Sequence, residues 1–142
     1  MSVPAATLSP LLALRAAILA RLSADATLAG LMGGRVRLHD EPPRGTSPVY
    51  ALFGDAETRD ASVDGAARHA HSLALVVFAK PGSARTGLDA ASRMAALLTE
   101  DAVAPPGHVL VTCRVAALRA TRDEASGEAR AVLTLEAVTE AA

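Results

Sequence analysis

A chain of 142 residues that is 51% hydrophobic and 20% charged is long enough for one packed domain and too apolar to be a disordered tail. Fourteen Lys and Arg against fifteen Asp and Glu give a formal net charge of −1, which argues against a dedicated nucleic-acid binder with its clustered basic excess. The single cysteine, Cys113, excludes an intrachain disulfide, and no stretch approaches the roughly 18 apolar residues that mark a membrane span.

Aromatics are only 2% of the chain, so the core is expected to be built from Leu, Val and Ala, with Tyr50, Phe53 and Phe78 as its only rings. Residues 1–20 are apolar, but no Lys or Arg precedes the apolar run and Arg15 interrupts it. That pattern predicts a helix of the mature protein rather than a signal peptide. Ser9-Pro10 is a good helix start, since Ser can cap free N–H groups and Pro is tolerated at the first helical position. Leu11, Leu14, Ile18 and Leu22 then recur at helical spacing, with Leu12 and Leu19 broadening the stripe. Asp25 opens a short helical turn over Leu28 to Met32 that Gly33-Gly34 ends.

Val36 to His39 is a short strand candidate, followed by a breaker cluster from Pro42 to Pro48. Val49 to Phe53 reads as a strand. From Gly54 to Ala67 the composition turns small and charged, which predicts either a long hairpin tip or two strand ends joined by a mobile loop over about residues 57–68. His69 to Ala79 is the clearest strand, and because both faces are apolar toward its C-terminal half, that half is expected to be covered on both sides. Pro81-Gly82 stops it. Ser83 or Thr86 caps a second long helix, with Leu88, Ala91, Ala95 and Leu98 on one face, Met94 and Leu97 beside them, and Arg85, Asp89, Arg93 and Glu100 toward solvent.

Two final strands, Val109 to Leu118 and Arg130 to Val138, alternate in polarity and flank a polar turn around Asp123 to Gly127, as a hairpin with one buried face would. Val111, Cys113 and Val115 form the apolar side of the first. The order predicts a single α+β domain over residues 1–142: an antiparallel or mixed four- to five-stranded sheet with two main helices packed on one face.

The chemistry-bearing residues are few. His69 and His71 lie two apart in a strand and so project from one face, where two imidazoles could share a metal if His39, Asp40 or Glu41 supplied a third ligand. Two ordinary strand histidines are the more economical reading, and no metal or other cofactor is expected. His39-Asp40-Glu41 reads as the polar end of a strand, and Cys113 as a small hydrophobe. Gly30, Gly33 and Gly34 follow a helical turn instead of opening a helix after a strand, the wrong context for cradling phosphate. The catalytic inventory is nearly empty. If the helices cover one face of the sheet, Arg114, Arg119, Arg130 and Glu136 belong to a lightly charged second face that is either solvated, the default, or paired with a neighbouring copy.

The linear order of segments carries a resemblance. Leu14 to Leu22 runs into Leu28-Ala29-Gly30-Leu31-Met32-Gly33-Gly34-Arg35-Val36 and then Asp40-Glu41-Pro42-Pro43; Pro48 to Leu52, Gly54-Asp55-Ala56 and Ala70 to Phe78 follow. This order resembles the tail terminator (tail completion) proteins of long-tailed phages over nearly the whole chain. Its Ala- and Arg-rich composition is similar to members from alphaproteobacterial prophages and gene transfer agents. It departs from them in having no aromatic residue in the 60s loop or on the second helix.

The resemblance implies a structural virion protein and no enzyme: a hexameric ring that caps the head-proximal end of the tail tube and joins it to the head-completion (stopper) protein. It implies assembly in the bacterial cytoplasm and a place at the tail-neck junction of the particle. The partners implied are further copies of the chain, the tail tube protein and the stopper, with DNA passing through the channel without specific binding. On that reading Asp60, Ser62, Val63, Asp64 and Gly65 form a loop facing the lumen or the tube, and Arg114, Arg119, Arg130 and Glu136 are candidates for an intersubunit sheet face. The alternatives are another neck or tail-completion module, a generic oligomerising α+β domain, or a small hydrolase using His69 or His71.

Overall fold

Local capping sets the first helices. In the computed structural model, which describes residues 8–44 and 47–142, the Ser9 hydroxyl accepts from the Leu12 N–H at 3.3 Å and opens α1 (Pro10–Ser23). The Asp25 carboxylate accepts from the Leu28 N–H at 2.8 Å and opens α2 (Ala26–Leu31). Asp25 also takes two hydrogen bonds from Arg93, Nε at 3.0 Å and Nη2 at 2.8 Å. The Arg93 guanidinium, then the Leu28 N–H, lower the Asp25 carboxyl to a pKa of about 2. Arg93 is therefore a tie between two helices, not a purely solvent-facing residue. Residues 1–7 of the expected N-terminal helix, and residues 45 and 46 of the breaker cluster, lie outside the described residues.

The remaining elements are β1 (Leu38–His39), β2 (Val49–Asp60), β3 (Arg68–Ala79), α3 (Ala84–Glu100), β4 (His108–Arg122) and β5 (Ala129–Ala141). They form one mixed sheet of five strands in the order β1-β2-β3-β5-β4, with β1 parallel to β2 and every other pair antiparallel. The fold is α+β as expected, with α1 and α3 sharing one core with a single face of the sheet.

That core is aliphatic: Leu14, Ile18 and Leu22 of α1, Met94 and Leu98 of α3, and Leu73, Leu75, Leu133 and Leu135 of the central strands are all essentially inaccessible. The aromatic expectation fails here. Phe53 packs against the core beneath the Arg15 guanidinium, 4.3 Å from its ring centroid, but Tyr50 and Phe78 lie on the opposite face of the sheet. Side chains alternate along a strand, so their parity with buried Val49, Ala51, Val77 and Ala79 sends them outward.

Several boundaries and faces also shift. Leu12 and Leu19 are 50% and 39% exposed, because the buried arc of α1 is Ala13, Leu14, Ala17, Ile18 and Leu22, and both leucines fall on its far side. In α3 the buried face is Gly87, Ala90, Ala91, Met94, Leu97 and Leu98, so Leu88 points outward. The helix is rotated because Gly87 lets it approach β3: a Cβ built at Gly87 would sit 2.7 Å from the Ala79 Cβ. Ser83 is the N-cap, without a side-chain capping bond, and Thr86 is inside the helix.

In β4 a register shift between Leu110 and Thr112 turns Val111 outward, while Cys113 and Val115 keep their place against the core. The loop expected over about 57–68 shrinks to residues 61–67, because β2 continues to Asp60 after an irregularity between Phe53 and Ala56. Glu57 to Asp60 pair through the backbone with Ser72 to His69, a ladder that requires no apolar pattern.

Candidate assembly surface

Among the described residues no helix packs on the second face of the sheet. Tyr50, Leu52, Ala74, Val76, Phe78 and Val132 project there and are half-buried. The C-terminal half of β3 is thus covered on one side only, contrary to expectation. Tyr50 and Phe78, directly opposite in the β2–β3 ladder, stack with ring centroids 5.0 Å apart and planes at 17°. The Arg130 guanidinium lies 5.5 Å from the Phe78 centroid.

All four sheet residues singled out in the sequence occur on this face. Arg114 and Glu136 are cross-strand partners and form an ion pair, Arg119 stands opposite Val132, and Arg130 flanks the aromatic pair. Arg119 makes no ion pair among the described residues. The residues missed by sequence reasoning are Tyr50, Leu52, Val76 and Phe78. Their signal was present as strand parity, but the apolar character of both faces of these strands concealed which face meets the core.

Among the described residues the edges of the sheet are also free. β4 is an edge strand of fifteen residues with Val109, Val111 and Leu118 exposed. On the opposite side β1 pairs only with Ala51 and Leu52, leaving Gly54 to Asp60 of β2 as a second open edge. β4 carries Arg114, Arg119 and Arg122; the open part of β2 carries Asp55, Glu57, Arg59 and Asp60. Unpaired strand edges are templates for pairing with another chain.

The 60s residues form the tip of the β2–β3 hairpin. The Asp60 carboxylate accepts from the Ser62 N–H at 3.0 Å and the Ser62 hydroxyl at 2.6 Å. The hydroxyl, then the N–H, hold the Asp60 carboxyl below its usual range. Val63 bridges Ala66, and Asp64 and Gly65 turn the chain with φ of 37° and 81°, the left-handed region that Gly tolerates best. The side chain of Val63 remains exposed at the apex.

The histidine pair is not arranged as a metal site. His71 is buried, and its ring nitrogens are both used, by the Thr58 hydroxyl at 2.9 Å and the Thr139 hydroxyl at 2.8 Å. Among the described residues no group of three or more His, Cys, Asp or Glu could hold a metal ion. Asp40 pairs with Arg15, and burial pushes the thiol of half-buried Cys113 up, away from the reactive thiolate.

Burial, with the neighbouring His69 and His108, lowers the pKa of His71 below its ordinary value of 6.5. The unfolded chain therefore binds a proton that the folded chain refuses. Stability is full above about pH 6.5 and falls as pH drops through the window below it. His71→Asn should flatten that part of the stability–pH curve, measured by urea unfolding at stepped pH. An unchanged slope would show that His71 does not titrate there.

Residues 16–140 match the family described as Tail completion protein gp17. The chain belongs to this tail completion family. One solved structure, described as the virion of a native gene transfer agent (GTA) particle, contains a chain similar to this one at 27% identity and a TM-score of 0.81. The likeness covers 96% of this chain and 98% of that one. No curated protein matches the chain. No helix among the described residues of this tail completion protein is long and apolar enough to cross a membrane. The open face, the free edges and the hairpin tip are therefore features of a structural phage tail protein.

Proposed function

We propose that this tail completion protein is a tail terminator. It forms a closed hexameric ring on the head-proximal end of the tail tube, stops tube growth and presents a surface to the head-completion protein. It works in the virion or gene-transfer-agent particle as a structural part and performs no catalysis. The observation that carries this reading is the uncovered sheet face, where a small domain places two of its three aromatic rings outside its own core. Such a face is stable when another surface covers it.

The two free edges favour a ring over a symmetric dimer. The β4 edge is basic and the open part of β2 is mostly acidic, so different surfaces of adjacent copies complement each other, which is the heterologous contact that closes a ring. The hairpin tip with Asp60, Ser62, Val63, Asp64 and Gly65 then faces the lumen or the tube. A tip free of Lys and Arg lets DNA pass without retention, because phosphate affinity depends on those cations.

Light scattering across a concentration series, followed by negative-stain imaging, should show a closed ring, or a monomer that becomes a ring on purified tail tubes. A stable dimer that leaves tubes uncapped would overturn the reading.

A further inference from the structure

The face that carries the helices is itself incompletely covered. α3 descends tightly onto β3 at Gly87 and leaves the C-terminal half of β4 bare. Between them lies a groove of about 410 Å³. Its floor consists of small or apolar groups, Val77, Ala79, Gly87, Ala120, Ala129 and Ala131, with Leu88 exposed at its edge. Arg85 of α3 and Arg122 of β4 also line it, and among the described residues neither makes an ion pair.

We infer that this groove receives a carboxylate-bearing apolar segment of a neighbouring protein of the particle. The inference rests on the tail terminator reading. Its volume falls in the range of small-molecule clefts, roughly 300–1,000 Å³, but Thr121 and Arg130 of its lining belong by strand parity to the opposite face, which leaves two arginines as the only polar side chains aimed at it, too few to orient a small ligand. What it offers is a shallow apolar floor between two unpaired guanidiniums. Small floor residues allow close approach of a helix or strand bearing Ala, Val or Leu, and each arginine can take a carboxylate through charge-assisted hydrogen bonds.

Place in the fold separates this partner from the one at the hairpin tip. The groove lies where β3 and β4 end and β5 begins, whereas the tip lies where β2 ends and β3 begins, so the two occupy opposite ends of the same strands. A protein held between two different neighbours needs two such unlike ends.

The test uses heads and tails purified from particles that lack this chain. Wild type, Arg85→Glu with Arg122→Glu, Ala120→Trp, and the exposed control Arg35→Glu are added separately. Solution mass is measured for each and joined particles are counted by electron microscopy. The charge-reversed and groove-filled variants should keep the wild-type mass and circular dichroism while joining falls at least tenfold, and the control should join normally. Normal joining by both groove variants would overturn the proposal. A changed ring mass would also overturn it, since the groove would then be a contact between copies. Wild type that fails to join particles would sink the underlying reading as well.

Discussion

A chain carrying Tyr50→Ser and Phe78→Thr is expected to fold as the wild type does and, on the tail terminator reading, to form no ring. Both rings lie on the uncovered face, so neither substitution opens a cavity in the Leu-rich core. The fold loses the stacking of one aromatic pair, about 0.5–1.5 kcal/mol. Thr retains the strand preference that the central β3 position needs.

An interface loses much more. Buried aromatic anchors commonly cost 2 kcal/mol or more each when truncated, which corresponds to roughly 30-fold or more in association per ring. Arg130 would also lose the π face beneath it. Analytical ultracentrifugation and tube capping would read the result, with far-UV circular dichroism as the folding control. A ring of unchanged mass that still caps tubes would show that this face is merely solvated, the default reading from sequence.

The largest effect on stability is expected from Gly87→Val. On an exposed helix, replacing Gly with Ala gains about 1 kcal/mol of helix propensity. At position 87 the added Cβ would meet the Ala79 Cβ at 2.7 Å, with the Ala79 Cα and Val77 Cγ1 both at 3.9 Å. Ala79 has no rotamer with which to move aside, so α3 itself must lift from the sheet. Overpacking of this kind costs about 1–3 kcal/mol, and the larger, β-branched valine, with a smaller propensity gain than alanine to offset it, belongs at the upper end.

Gly87→Ala separates the two effects, because it should lose stability where propensity alone would raise it. Ala79→Gly in the same chain should restore part of the loss, with a coupling of about 0.5–3 kcal/mol in a double-mutant cycle. Urea denaturation with an unchanged m-value would measure all of these. A Gly87→Ala chain more stable than wild type would mean that α3 does not press on β3 as described.

By itself the sequence determined the element types and their order, the aliphatic composition of the core and the resemblance to tail completion proteins. Each is carried by short-range or linear features: Ser9 and Asp25 as caps, the apolar run of His69 to Ala79, the break at Pro81-Gly82, and the run of segments from Leu14 to Phe78. It also placed Arg130 and Glu136 on one face by strand parity, whereas Arg119, an odd number of residues from Arg114, joins that face only through the register shift between Val115 and Ala117.

What only the tertiary structure decided depends on contacts between distant parts of the chain. The rotation of α3 that exposes Leu88 follows from the meeting of Gly87 with Ala79, and the outward turn of Val111 from a register shift against β5. The ordering of residues 57–60 into β2 follows from backbone pairing with β3, which leaves no side-chain signature. The open face shows the same division. Tyr50, Leu52, Val76 and Phe78 are as apolar as the residues beside them, and which side of an all-apolar strand is buried depends on where the helices land.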